Sequence, residues 1–152
     1  MNTFQIMRLK IINGPNLNLL GVREPHIYGS TTLAQIHSAC KEAATEFNAR
    51  LEFLQSNHEG QIVDWIQEGR DDADAIIFNP AGYSFYSVAI FDALKAFERP
   101  IIELHLSNIH ARDDLHRHSI MSRAATAVIC GFGPLGYRLA IQAAAQVLAG
   151  KE

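Results

Sequence analysis

The chain has 152 residues, 48% of them apolar and 19% charged, and its 13 basic and 16 acidic side chains leave a formal net charge of -3. That length suits one domain, spanning 1–152, with a self-sufficient core, and the composition excludes a disordered chain. The acidic balance argues against a partner held through its phosphates, so no nucleic acid is expected. No apolar run approaches the ~20 residues that a membrane span needs. The opening MNTFQIMRLK lacks the apolar region of a signal peptide, so a cytoplasmic location is expected. Two cysteines, Cys40 and Cys130, sit in apolar runs without metal-ligand spacing and read as reduced core thiols.

Taken in order, Arg8 to Asn13 reads as a buried strand that breaks at Asn13-Gly14-Pro15-Asn16. A long connection follows, because no good helix start appears before Thr31-Thr32, and a loop of that length is usually a lid or binding loop. Thr32 can cap a helix whose apolar residues Leu33, Ile36, Cys40, Ala43 and Phe47 recur at helical spacing. Leu51 to Gln55 is the second strand, and a helix is expected from Glu59 to Glu68, ended by Gly69. Asp71, Asp72 and Asp74 then read as a solvated turn. Ala75 to Asn79 is a third strand, apolar enough to be covered on both faces. Pro80 to Tyr86 reads as a loop, Ser87 opens a helix through Phe97, and Ile101 to His105 is the fourth strand. A polar segment with a short helical stretch runs from Leu106 to about Ser122. Ala127 to Cys130 is the fifth strand, and Leu135 to Leu148 a final amphipathic helix. Five strands alternating with helices predict a doubly wound α/β sheet, all parallel, in the flavodoxin-like order 2-1-3-4-5. In that order a ligand belongs at the carboxyl edge, between the loops after strands one and three.

That edge carries the chain's unusual polar residues. Arg23 and Tyr28 put a cation and a phenol in the first loop. A phenol acts as a base only once ionised, and a guanidinium favours the ionised form, although a solvated arginine beside a packed tyrosine is the plainer alternative. Glu103 and His105 alternate along the fourth strand and so share a face, where a carboxylate can fix the imidazole's tautomer and suit it to give up a proton. Asn16 and Asn79 follow or close neighbouring strands, and Asn79, ending an apolar strand, needs a partner. The segment LSNIHARDDLHRH has no recognised metal-ligand spacing and reads as a polar binding loop. Ser107 and Asn108 would act there as donors, with Arg112 or Arg117 to meet a carboxylate. GFGPLG matches G-x-G-x-x-G, but the dinucleotide reading needs an acidic residue about twenty positions on, after another strand. The chain ends first, so the glycines read as a tight turn.

Together, NGPNLNLLGVREPHIYG, QSNHEGQIVDWI, ELHLSNIHAR and GFGPLGY resemble, in order, the blocks of type II 3-dehydroquinate dehydratase, over nearly the whole chain. The resemblance implies a cofactor-free, metal-free hydro-lyase. It would turn 3-dehydroquinate, a cyclic polyol-ketone carboxylate, into 3-dehydroshikimate by anti elimination through an enolate. It also implies a homo-oligomer, a dodecamer built from trimers, and it fits both aromatic biosynthesis and quinate breakdown. By position, Tyr28 would take the proton beside the ketone, Arg23 would favour the phenolate, and Asn16 would hold a water near the enolate. His105, oriented by Glu103, would protonate the departing hydroxyl. Asn79 and the backbone at Leu106 and Ser107 would bind substrate, and Asp92 would reach a neighbouring subunit's site.

Three positions depart from the family pattern. Phe85 and His116 stand where a histidine and an arginine usually hold substrate, and Phe91 stands where an arginine is common. A substrate hydroxyl buried against phenylalanine would cost about 1–3 kcal/mol. The altered cradle motivates reduced activity on dehydroquinate or a related substrate lacking a hydroxyl. Rival readings are an enzyme for a related cyclic polyol ketone and a non-catalytic ligand-binding scaffold. A nucleotide-binding relative is weaker still, because the glycine turn follows the wrong strand.

Overall fold

The structure, a computed structural model, describes residues 5–150. The reading of the first residues as free of a signal-type run rests partly on 1–4, which lie outside the described residues. Five strands, β1 (Met7–Asn13), β2 (Ala49–Gln55), β3 (Ala75–Asn79), β4 (Ile101–His105) and β5 (Ala127–Cys130), form one parallel sheet in the order β2-β1-β3-β4-β5. The expected fold and order are therefore observed. β3 and β4 are buried at every residue, which is why their sequences run apolar instead of alternating.

Alternate strand residues feed two separate cores. Leu9, Ile11, Ile77, Ile102 and Leu104 pack on one face under α2 (Leu33–Glu46) and α5 (Leu135–Ala149). Ile12, Ile76, Phe78 and Ile101 pack on the other under α3 (Glu59–Asp72) and α4 (Val88–Phe97). Thr32 starts α2 as read, in a capping box: its hydroxyl accepts from the Gln35 amide at 3.2 Å, and its own amide donates to Gln35 Oε1 at 2.9 Å. Ser87 caps α4 by accepting from the Ile90 amide, and its hydroxyl donates to Glu59 Oε2 at 2.6 Å, tying together the starts of α3 and α4.

Several expectations need correction. α3 does not stop at Glu68; it runs to Asp72 with Gly69 inside it. A Cβ at Gly69 would lie 3.2 Å from Ile76 and 3.3 Å from Phe97, so this glycine allows close packing and is not a terminator. Asp71 and Asp72 are helical, and the acidic run is not a free solvated turn. Asp72 meets Lys10, which is 2% exposed, at 2.9 Å, and Asp74 meets Arg8 at 2.9 Å, so the aspartates neutralise cations on β1. Hydrogen bonding from Arg8 outweighs burial and holds the Asp74 carboxyl below its usual range. Cys40 is a core thiol, pushed up to about 12 by burial, whereas Cys130 is only half-buried.

The connections are more ordered than loops. The first contains a 3-10 turn at Leu17–Leu19 and a single helical turn, α1 (Pro25–Tyr28), with Asn16 and Glu24 in left-handed conformations. Ala81–Phe85 forms a 3-10 helix, as do Ile109–Ala111, Asp114–His116 and Ile120–Arg123. The glycine turn before α5 is a turn, with Gly131 and Gly133 left-handed. A Cβ on Gly136 would sit 2.8 Å from Leu104, so that glycine seats α5 on β4.

At the carboxyl edge the ends of β1 and β3 approach very closely. The Gly14 amide donates to the Asn79 carbonyl at 2.8 Å, and a Cβ on Gly14 would lie 2.3 Å from the Pro80 carbonyl oxygen. Gly14→Ala must therefore force the two strand ends apart. It is expected to cost about 3 kcal/mol in urea unfolding, the upper range for overpacking; an unchanged midpoint would show that the strands separate freely.

Candidate active site

The connections after β1, β3 and β4 converge on a cavity of about 180 Å³ at that carboxyl edge. This is smaller than the range of drug-sized pockets and suits a compact molecule. Asn16, Arg23 and Tyr28 come from the first connection, Asn79 and Phe85 from the second, and His105, Leu106, Ser107, Arg112 and His116 from the third. Most of the residues singled out in the sequence are thus brought together. Asn108, which caps a 3-10 helix, Arg117, which pairs with Asp114, and Phe91, which packs against the second core, do not line the cavity. Nor does Asp92, exposed on α4, line the cavity of its own chain. Glu103 sits behind the wall, 1% exposed, and reaches the cavity only through His105.

Tyr28 lies between two guanidinium groups. Arg23 stacks over its ring, 5.3 Å from the centroid, while its own charge pairs with Glu24 at 3.2 Å. Arg112 lies 5.5 Å from the same centroid and donates from Nη1 to the Tyr28 hydroxyl at 3.0 Å. The cation on the phenol oxygen is therefore Arg112, not the neighbour that sequence proximity suggested.

On the fourth strand, His105 Nε2 pairs with Glu103 Oε2, and the Ser122 hydroxyl donates to Glu103 Oε1 at 2.6 Å. Burial opposes ionisation of Glu103, yet the hydrogen bond and charge of His105, with help from Ser122, hold its carboxyl below the usual range. The result is a buried anion that fixes the ring and leaves Nδ1 as the nitrogen free for other work.

The remaining residues shape and hold the cavity. The backbone amide of Asn16 donates to Asn57 Oδ1 at 3.0 Å, which stabilises its left-handed turn. Asn79 finds its expected partner in Tyr137, donating from Nδ2 to the hydroxyl at 3.0 Å. Phe85 and His116 meet edge to face, centroids 5.6 Å apart, and His116 Nδ1 lies 2.9 Å from Asp113. No carboxylate lines the cavity among the described residues, whereas Arg23 and Arg112 do, so it favours an anion. No group of three His, Cys, Asp or Glu among the described residues could hold a metal ion. Sequence reasoning gave no role to Asn13, Asn57 or Tyr137; all three lie inside the blocks that carried the resemblance, and Asn13 stood out otherwise only as the end of a strand.

The family described as Dehydroquinase class II matches residues 7–145. A protein of Verticillium alfalfae named catabolic 3-dehydroquinase is 55% identical over 139 residues, covering 91% of this chain and 93% of the relative. A 3-dehydroquinate dehydratase of Caulobacter sp. is 51% identical over 137 residues, 90% of this chain and 93% of its own length. The crystal structure of a type II dehydroquinase from Propionibacterium acnes superposes with a TM-score of 0.89 at 39% identity, covering 93% of this chain and 99% of that one.

Because Glu103 and His105 are buried together, removing one partner should cost more than removing both. Glu103→Ala is expected to lower unfolding free energy by about 3 kcal/mol, and replacing both residues with leucine to recover most of it. Urea titrations at neutral pH measure this; equal losses in the two variants would mean that the pair is not electrostatically coupled.

Proposed function

The chain belongs to the class II dehydroquinase family, and from that premise we propose that it is a hydro-lyase converting 3-dehydroquinate to 3-dehydroshikimate. The observation that carries the reading is that Tyr28, with Arg112 on its hydroxyl, lines the same small cavity as His105 backed by Glu103. One group is suited to take a proton and the other to give one.

In this mechanism the Tyr28 phenolate removes a proton from the carbon beside the substrate ketone, and the electron pair moves onto the ketone oxygen as an enolate. The enolate then collapses, a carbon–carbon double bond forms, and the hydroxyl on the next carbon leaves. His105 supplies the proton that lets it depart as water, and the Glu103 carboxylate holds the ring in place through Nε2. Arg112 holds the Tyr28 oxygen by donating to it, and Arg23 lies against the ring face. Asn16 holds a water beside the enolate, while Asn79 and the backbone of Leu106 and Ser107 bind substrate oxygens. The substrate carboxylate fits a cavity without lining acids. No cofactor or metal enters these steps. The enzyme works in the cytoplasm as a homo-oligomer, a dodecamer of trimers, with Asp92 turned towards a neighbouring subunit. No helix among the described residues is long and apolar enough to cross a membrane.

The altered cradle at Phe85 and His116 bears on affinity within this reaction. A change of substrate or a non-catalytic role is not favoured, because relatives at 51% and 53% identity carry the name 3-dehydroquinate dehydratase.

Two outcomes test the proposal. Purified protein mixed with 3-dehydroquinate should form a conjugated enone, seen by its ultraviolet absorbance. Tyr28→Phe should slow this by about 10²–10⁴, the usual worth of a positioned base. Turnover that survives in Tyr28→Phe would remove Tyr28 from its role, and none in the wild type would defeat the reading. Separately, Phe85→His with His116→Arg should raise kcat/KM by about tenfold, one hydrogen bond's worth; an unchanged or lower value would show that the aromatic pair does not limit binding.

A further inference from the structure

Behind the cavity lies a chain of buried polar groups whose donors and acceptors can be arranged in only one way. It begins at the Leu54 carbonyl, which can only accept, so Asn13 turns its Nδ2 towards it, at 3.0 Å. That choice aims Asn13 Oδ1 at the Tyr137 hydroxyl, which donates its single proton there at 2.6 Å. The hydroxyl must then accept from its other neighbour, and Asn79 Nδ2 supplies that bond at 3.0 Å. Asn79 Oδ1, facing the other way, accepts from the Ala81 amide at 3.3 Å. All three side chains are buried, Asn13 fully and Tyr137 to within 1%. At the inner links, Asn13 and Tyr137, burial leaves a missing partner uncompensated.

The chain therefore carries polarity from β2 through α5 to the cavity wall. Asn79 is its last member and lines the cavity, with one N–H of Nδ2 unspent. Ala81, held by the same amide, lines the cavity as well and is left-handed at φ 51, a strained conformation for alanine. Without the Tyr137 hydroxyl, Asn79 keeps only the 3.3 Å bond from the Ala81 amide, and its Nδ2 loses the partner that fixes the direction of the remaining N–H.

We propose that Tyr137 is a positioning residue: through the Asn13–Tyr137–Asn79 chain, it sets the Asn79 amide so that a donor faces an oxygen of the substrate. This rests on the dehydratase reading, and it adds a residue that never touches substrate. Its effect belongs in binding more than in chemistry, so it should appear in KM.

A double-mutant cycle on purified enzyme with 3-dehydroquinate tests it, with urea unfolding run alongside to show that each variant is folded. Tyr137→Phe should raise KM about tenfold, one hydrogen bond's worth, with kcat nearly unchanged. In an Asn79→Ala background the same substitution should have almost no effect on KM, because the group it positions is gone. A purely structural tyrosine would cost the same in both backgrounds, and that result would overturn the proposal. Should Tyr137→Phe fail to fold, Asn13→Ala gives the same cycle one link further back, with the same expectation and the same overturning result. Wild-type enzyme without turnover would sink the dehydratase reading and this inference together; wild-type turnover with additive costs would sink the inference alone.

Discussion

The approach of β1 to β3 at their carboxyl ends is the constraint on which the rest of the molecule depends. Asn13 and Asn79 are register partners, and one step beyond them the Gly14 amide still donates across to the Asn79 carbonyl. Only a residue without a side chain fits there, against the Pro80 carbonyl. From this point the two chains diverge, one towards α1 and α2, the other through a 3-10 helix towards α4, whose helices cover opposite faces of the sheet. The gap they leave is the crevice of a doubly wound sheet, at the position where strand order reverses. The cavity is thus a product of topology, and its depth depends on how closely two strands can be held.

Charge is distributed to match. The molecule is acidic overall, with a net charge of -3, yet the cavity wall carries guanidinium groups and no carboxylates among the described residues. The acids near it serve other partners: Glu24 pairs with Arg23, Asp113 with His116, and Glu103 with His105. Glu103 differs from the other two because it is buried. There a carboxylate is costly unless paired and hydrogen-bonded, and both conditions are met by His105 and Ser122. A charge kept in that position does for the histidine what an exposed one, screened by water, would not.

β3 and β4 were legible because burial on both faces leaves a largely apolar run with abrupt ends; β5 also lies where the sequence placed it, although it is an edge strand with Ala127 and Val128 exposed. Thr32 and Ser87 announced their helices through short-range hydrogen bonding. Gly69 misled because a glycine that permits a close helix–sheet contact looks the same as one that ends a helix. The aspartates after it misled because their cationic partners lie on β1, more than sixty residues away. The same distance hid two features of the site. Arg112 is 84 residues from Tyr28, so the nearer Arg23 took its place in the reading. Tyr137 is 124 residues from Asn13, and no local pattern marks a tyrosine whose hydroxyl is spent inside the core. What the sequence could show were the residues that end strands and the ordered blocks around them; which side chains touch was decided by the sheet.

Phe85 and His116 show how the sheet joins distant connections into one wall of the cavity. They lie on different connections, after β3 and β4, yet they contact each other edge to face, a geometry worth about 0.5–1.5 kcal/mol. Asp113 fixes the far side of the His116 ring. Phe85 and His116 are therefore one packed unit, so changing either alone would leave the other without its partner. Neither takes part in the hydrogen bonds that join Glu103 to His105 and Arg112 to Tyr28. The aromatic contact therefore ties the connections after β3 and β4 together across the cavity without drawing on the polar contacts that hold Tyr28 and His105.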